Sequence, residues 1–241
     1  MARDDTGERL SRISTVWTEL ARAHTPGTGV TAAQTAALLR YYRAVYRYLC
    51  GAVRDEHVAE ELAQEFALKF VRGDFRGADP NRGRFRDYLR TALSRLVTDY
   101  HRVRQAAPQP LAADVAAPLV PDPDASDFLG EWRAELLDRT WEALGEANPA
   151  YKAALLLKVH EPDLSSADAA ERLSAELGRP VTADWVRKAV QRAHEKFADL
   201  LVDETARSFG ESAGPEQVKA ELTDLDLLPY CRTALNRRGS G

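Results

Sequence analysis

Arginines alternate with apolar and aromatic residues in GRFRDYLRTALSRLVTDYHRVRQ, residues 83–105. The apolar positions recur at helical spacing and predict a buried helix face made of Phe85, Leu89, Ala92, Leu93, Leu96 and Tyr100. Six arginines against two aspartates fall on the rest of this helix, in a chain whose formal net charge is -4. Guanidinium groups bind phosphates, and aromatic rings stack on unpaired bases. The segment is therefore a candidate surface for single-stranded nucleic acid, with Phe75, Tyr88, Tyr100 and His101 as candidate stacking residues. A solvated helix face, with the aromatic residues in the core, is the alternative.

A second pattern lies in VAEELAQEFALKF, residues 58–70. Its buried stripe is predicted to consist of Val58, Leu62, Phe66 and Phe70. The neighbouring stripe consists of Glu61, Gln64, Glu65 and Leu68. A solvated acidic face explains this stripe most simply. The leucine among the carboxylates indicates instead a docking surface for a basic partner helix.

Residues 166–177 and 182–207 predict two helices joined by a tight turn. Ser165 and Asp168 have capping-box spacing, Gly178 suits the left-handed end of the first helix, and Thr182 caps the second. This pattern is typical of a helix-turn-helix that binds DNA, although a plain helical hairpin fits it equally well. The residues predicted to face a DNA groove are Thr182, Asp184, Trp185, Arg187, Lys188, Gln191 and Arg192. Those predicted to be buried are Ala183, Val186, Ala189, Val190, Ala193 and Phe197.

The chain lacks the motifs of common enzyme classes. It contains no GxxxxGK[ST], no GxGxxG and no nucleophile elbow. His57 with Glu60 and Glu61 looks most like a catalytic cluster, but its spacing fits the solvated start of a helix better. The five histidines are never paired with cysteine at metal-ligand spacing. We therefore expect no enzymatic activity, no metal and no cofactor.

Two widely separated cysteines and a charged N-terminus without a signal-peptide pattern indicate a cytoplasmic protein. No apolar run reaches the roughly 18–20 residues that a membrane span needs, so we expect no membrane insertion.

Helical periodicity runs through the whole sequence and predicts an all-α fold of two small helical bundles. The first bundle, residues 1–105, has predicted helices at 11–24, 31–53, 56–71 and 83–105. Residues 106–127, rich in alanine and proline, predict a flexible linker. The second bundle, residues 128–209, contains the helix-turn-helix and has predicted helices at 128–144, 149–160, 166–177 and 182–207. Residues 210–241 form a C-terminal extension whose amphipathic segment, 215–236, either acts as a regulatory helix or extends the second core.

In this order, the motifs resemble those of the bacterial RNA polymerase sigma factors of the sigma-70 family. AEELAQEFALKF is similar to their second conserved region, and ADPNRGRFRDYLRTALSRLVTDYHRVR to the promoter-melting and minus-ten-recognition helix that follows it. VRKAVQRAHEKFADLLVDE resembles the recognition helix of their fourth region, which reads the minus-thirty-five element. Together with ISTVWTELARAH and DLLPYCRTAL, these segments are most similar to extracytoplasmic-function (ECF) factors of a planctomycete-like subgroup. The resemblance covers residues 11–105 and 128–209.

The resemblance implies a transcription initiation factor that binds core RNA polymerase and recognises and melts promoter DNA. The implied polymerase-docking set is Glu61, Leu62, Gln64, Glu65, Leu68 and Lys69. The implied minus-ten set is Arg72, Phe75, Arg76, Arg84, Arg86, Arg90, Arg95, Asp99, His101 and Arg102, of which the first three belong to a loop that holds a flipped base. The implied minus-thirty-five set is Thr182, Asp184, Trp185, Arg187, Lys188, Gln191 and Arg192. An anti-sigma factor or another regulator is a further partner that the family allows.

Three positions depart from the family pattern. Many members carry asparagine where Arg95 stands, and arginine where Ala189 and His194 stand. These departures keep open an alternative function, a sigma-like regulatory or protein-interaction module that has lost promoter specificity.

Overall fold

The computed structural model describes residues 36, 38–72, 84–106, 125–209 and 213–239. Every regular element in these ranges is an α-helix, which confirms the predicted fold class. The helices are α1 (Tyr42–Val53), α2 (Glu56–Arg72), α3 (Phe85–Ala106), α4 (Ala125–Ala147), α5 (Pro149–His160), α6 (Ser166–Leu177), α7 (Ala183–Arg207), α8 (Pro215–Asp224) and α9 (Leu228–Gly239). The helix predicted at 11–24, the start of the helix predicted from 31, and residues 107–124 of the predicted linker lie outside the described residues.

The helices belong to two compact units, and the boundary between the units falls inside α4. Helices α1–α3 and the start of α4, up to Glu135, belong to the first unit, and the second unit contains Leu136–Arg207 together with α8 and α9. The sequence placed the start of the second bundle at residue 128, eight residues before Leu136. The functional assignment of the two bundles stays a prediction.

In the first unit, α1 and α2 form a hairpin with a two-residue connection. Arg54 takes the left-handed conformation (φ 54°), and its N–H donates to the carbonyl of Cys50. The carboxylate of Asp55 then accepts from the N–H groups of His57 and Val58 at 3.0 and 3.2 Å. This N-cap fixes the residue at which α2 begins. It therefore also fixes which side of α2 faces solvent.

An aromatic cluster joins α2 to α3. The ring of Phe70 lies 6.0 Å from the rings of both Phe85 and Tyr88, in edge-on contacts that aromatic pairs favour. Below this cluster, Leu89, Leu93 and Leu96 are buried as the sequence predicted. The core thus fixes which side of α3 its arginines occupy.

The first part of α4 packs on α1 within the first unit. Trp132 packs on Tyr41 with tilted rings whose centroids are 4.3 Å apart, and Phe128 meets Tyr48 edge-on at 5.5 Å. Arg47 donates to Glu131 at 2.8 Å and pairs with the fully buried Glu135 at 3.1 Å. This ion pair offsets the desolvation of a buried carboxylate, and it ties α4 to the first unit.

Two small clusters make the core of α4–α7 in the second unit. One consists of Ala154, Ala169, Ala170, Leu173, Val186 and Ala189, and the other of Leu144, Leu155 and Ala193. Trp141 packs on Phe197 beside the second cluster, with ring centroids 4.6 Å apart. The many alanines allow close approach of the helices, so α5 and α6 hold α7 from Val186 to Ala193.

The C-terminal extension contains two helices where the sequence predicted one continuous segment. Asp226, at φ 57°, breaks the helical path, and the N–H of Leu227 donates to the carbonyl of Leu222 across the turn. Leu222, Cys231 and Ala234 are fully buried. Burial raises the pKa of the Cys231 thiol to about 11, so this residue is an uncharged part of the core at neutral pH. Arg237 binds both oxygens of Asp199 on α7, and Arg238 binds Asp203. The extension therefore enlarges the core around the second half of α7.

Candidate docking and nucleic-acid interfaces

The exposed stripe of α2 is acidic with one apolar residue at its centre. Glu61 and Glu65 are exposed, and Leu68 is 38% exposed, which is unusual among the large hydrophobic residues described. Lys69 pairs with Glu65, and His57 lies 3.5 Å from Glu61. Gln64 is half-buried along the edge of the stripe. Five residues of the predicted docking set, all but Leu62, are therefore on an accessible surface.

Leu62 faces the other way. It is 6% exposed, because it lies on the buried stripe with Phe66 and Phe70. Leu62 is therefore part of the core beneath the exposed stripe of α2, and it is not part of the predicted docking surface.

The arginine face of α3 carries part of the predicted minus-ten set at the surface. Arg95, Asp99 and Arg102 are exposed, and Arg102 pairs with Asp99 at 2.9 Å. Arg84, Arg90 and His101 are half-buried, and Arg90 lies 3.8 Å from Asp87. At the end of α2, Arg72 is exposed. Phe75 and Arg76 lie outside the described residues.

Two residues of α3, Tyr88 and Arg86, were predicted to lie at the surface but are buried in the core. Tyr88, a candidate for base stacking, packs among Phe70 and Phe85, and burial raises the pKa of its hydroxyl to about 12. Arg86 is only 4% exposed and reaches Asp87 at 3.4 Å. Of the candidate stacking residues on α3, Tyr100 and His101 are only half-buried, and their rings lie 5.2 Å apart.

The connection between α6 and α7 is held by short-range contacts. Ser165 caps α6 as predicted: its hydroxyl oxygen accepts from the N–H of Asp168 and donates to the Asp168 carboxylate. Gly178 ends α6 in the left-handed conformation (φ 63°), and the Thr182 hydroxyl accepts from the N–H of Trp185 at 3.2 Å. Within the turn, Ser174 accepts from the N–H of Val181 at 3.0 Å. These bonds satisfy donors that would otherwise be orphaned at two helix ends.

One face of α7 is exposed and mostly basic. Thr182, Asp184, Arg187, Lys188, Gln191 and Arg192 are exposed, as predicted for a groove-facing set. Asp184 lies 2.8 Å from Lys188 and 3.4 Å from Arg187. The hydrogen bond and charge of Lys188, followed by the charge of Arg187, lower the pKa of the exposed Asp184 carboxyl below its usual value. Asp184 is therefore ionised at neutral pH and neutralises part of this face.

Trp185 belongs to the predicted groove-facing set but is also in contact with the core. It is half-buried and packs against the cluster between α6 and α7. The guanidinium group of Arg179 lies 5.0 Å from the centre of its ring, at cation–π distance. Sequence reasoning missed Arg179, which extends the basic surface from α7 onto the turn. An arginine directly after the Gly178 cap was the available signal.

Among the described residues, no cluster of three or more histidine, cysteine, aspartate or glutamate residues could hold a metal ion. Within the same ranges, no helix is both long enough and apolar enough to cross a membrane.

Comparison with known families gives a match within the first unit. Residues 38–107 match the family model described as sigma-70 region 2. The match runs through α1, α2 and α3, so it contains the acidic stripe and the arginine face. Neither a curated protein nor a solved structure matches the chain. This stretch is therefore similar to sigma-70 region 2, which in sigma factors binds RNA polymerase and melts promoter DNA, and the sigma factor family is not enzymatic.

Proposed function

We propose that this chain is a sigma factor of the ECF type, in a planctomycete-like subgroup, that directs core RNA polymerase to promoters in the cytoplasm. In this proposal, α2 binds the polymerase, the arginine face of α3 binds and helps to open the minus-ten element, and α7 reads the minus-thirty-five element. An anti-sigma factor or another regulator is a further proposed partner. The observation that carries the proposal is the region 2 match across residues 38–107.

The separation of charge between two faces of the first unit supports this proposal. The stripe of Glu61, Glu65 and Leu68 on α2 is acidic, while Arg95 and Arg102 project from α3. An acidic stripe with an apolar centre suits a basic protein partner, and an arginine face suits phosphates. One small domain can therefore hold a protein and a nucleic acid at once.

The exposed face of α7 supports the proposed role of the second unit. Arg187, Lys188, Gln191 and Arg192 have the side chains that commonly contact base edges and phosphates in a major groove. The capped turn before α7 fixes where this face begins.

The alternative, a sigma-like module without promoter specificity, is supported by Arg95 and His194. Ala189 gives it no support, because this residue is 2% exposed in the core between α6 and α7. An arginine there would be buried, so the alanine removes no groove contact.

Charge reversal on α2 tests the proposal. We expect the Glu61→Lys, Glu65→Lys double variant to lose affinity for core RNA polymerase by a factor of at least about 10, since two attractive contacts become repulsive. Binding would be measured by fluorescence anisotropy with labelled protein, and circular dichroism would check that helical content is unchanged.

Glu146→Lys is the matched control, because Glu146 is an exposed glutamate of α4 in the second unit. This variant should bind polymerase like the wild type. Equal loss of binding in the control and the double variant, or unchanged affinity in the double variant, would exclude α2 as the docking face.

A further inference from the structure

A groove lies between α7, α8 and α9 in the second unit, on a surface that the proposed function does not use. Its volume is about 810 Å³. Its floor is apolar and consists of Val202, Ala206, Val218, Leu228 and Leu235. Val202 and Val218 are buried, whereas Ala206, Leu228 and Leu235 are half-buried and complete the apolar surface.

The polar residues that line this groove carry an excess of positive charge. Lys219, Arg232 and Arg238 face a single carboxylate, that of Glu216. Arg238 is bound to Asp203 at 2.7 Å. Lys219 and Arg232 are exposed, and neither has an ion-pair partner among the described residues. Two cations beside an apolar floor fit an occupant that is apolar on one side and acidic at its edges.

The shape of the groove favours a peptide helix over a small molecule. It is open to solvent along one side, whereas small-molecule sites commonly enclose most of the ligand surface. A helix roughly 10 Å wide that rises 1.5 Å per residue fills roughly 120 Å³ per residue. A volume of about 810 Å³ therefore accepts slightly less than two helical turns, enough for apolar anchors at i, i+3 and i+4.

We propose that this groove binds an amphipathic helix of a partner protein, with leucine-like anchors on the floor and acidic residues against Lys219 and Arg232. Val202 and Ala206 lie on α7, the helix that also presents Arg187 and Lys188. An occupant of the groove is thus in contact with the helix that carries the proposed DNA-reading face.

Two designed peptides test this proposal on the full chain. They share leucines at i, i+3 and i+4 and differ only at the flanking positions, which are glutamate in one peptide and lysine in the other. By fluorescence anisotropy, we expect the acidic peptide to bind at least about 10-fold more tightly than the basic one. Amide shifts in the NMR spectrum should change at Val202, Ala206 and Leu235.

Variants of the groove cations make the test specific. The Lys219→Glu, Arg232→Glu double variant should reverse the preference between the two peptides. Arg232→Glu alone should weaken the acidic peptide, while Lys196→Glu, at an exposed lysine of α7 that does not line the groove, should leave its affinity unchanged. Direct binding does not require transcription, so these results stand apart from the proposed function.

Four results would overturn the proposal. They are equal affinity for the two peptides, no binding of the acidic peptide at about 1 mM, an unchanged preference in the double variant, and shift changes confined to other surfaces. A dimer of the chain alone in sedimentation that Arg232→Glu dissolves would assign the groove to a second copy, and it would overturn the proposal equally.

Discussion

At the scale of single residues, Asp184 neutralises part of the positive charge on the exposed face of α7. It holds Lys188 at 2.8 Å and Arg187 at 3.4 Å in the free protein. These cations lower the pKa of the Asp184 carboxyl below its usual value, so the carboxylate is ionised at neutral pH. Non-specific binding depends on cations that are free to neutralise phosphates. If α7 has the proposed DNA-reading role, we expect Asp184 to limit binding to DNA of arbitrary sequence.

We predict that Asp184→Asn tightens binding to a non-specific duplex by roughly 3- to 10-fold and steepens the salt dependence by about one unit of slope. The removal of one negative charge releases Arg187 and Lys188 for phosphates. Anisotropy titrations at several salt concentrations would measure both quantities.

Asp163→Asn is the control for this prediction. Asp163 is an exposed carboxylate before α6 and has no ion-pair partner among the residues the structure describes. It should change neither affinity nor slope by a comparable amount. A similar effect of both variants would mean that the affinity depends on net charge alone and not on the ion pairs of Asp184 with Arg187 and Lys188.

At the scale of elements, the turn between α6 and α7 determines how the basic face is presented. Gly178 has φ 63°, and an added Cβ would meet no other atom within 4 Å. The cost of a side chain there is therefore a backbone cost alone, since left-handed residues other than glycine are strained by roughly 1–2 kcal/mol. A matched glycine lies inside a helix: Gly130 of α4 also has open space around an added Cβ.

Alanine substitutions at these two glycines should change the free energy of unfolding in opposite directions. Gly178→Ala should lower the free energy of unfolding by about 1 kcal/mol. Gly130→Ala should raise it by roughly 0.5–1 kcal/mol, because alanine restricts the unfolded chain and suits a helix interior. Urea denaturation followed by circular dichroism would measure both. No loss of stability in Gly178→Ala would show that the turn relaxes away from its left-handed form.

Local signals made much of this fold predictable. The helix bounds of α5 and α6, and the caps at Ser165, Gly178 and Thr182, follow from residues adjacent in sequence. The packing partners of α4 could not be predicted in this way, because Trp132 and Trp141 belong to the same periodic pattern. Periodicity shows that both are buried, but it does not show that Trp132 meets Tyr41 and Trp141 meets Phe197.

The candidate interfaces were predictable to a similar extent. The stripe of Glu61, Glu65 and Leu68 is exposed because the α2 core residues occupy the opposite side. Arg86 and Tyr88 were predicted to lie at the surface, but they are buried, with 4% and 9% exposure. Helical spacing along the sequence does not show that the neighbouring parts of the fold bury Arg86 and Tyr88.

At the scale of the whole molecule, α4 contributes to two cores. Trp132 is fully buried in the first unit, and Trp141 packs on Phe197 in the second. The boundary between the units falls between these residues, after Glu135. The two tryptophans therefore report on different units although they lie on one helix.

Alanine substitutions at these tryptophans should have separate effects. Trp132→Ala should destabilise the first unit by roughly 3–5 kcal/mol and increase amide hydrogen exchange in α1, with little change in α7. Trp141→Ala should increase exchange in α7 and leave α1 protected. If either substitution increased exchange equally in α1 and α7, the two units would unfold as one.

The central claim is that the chain directs promoter-dependent initiation, and its most direct test is run-off transcription with purified core RNA polymerase. The templates would carry sequences upstream of start sites that appear when the protein is overexpressed. We predict specific transcripts with the wild-type chain and none with the Glu61→Lys, Glu65→Lys variant. Binding of the wild-type chain to core polymerase without promoter-dependent transcripts would contradict the claim and favour a regulatory module that has lost promoter specificity.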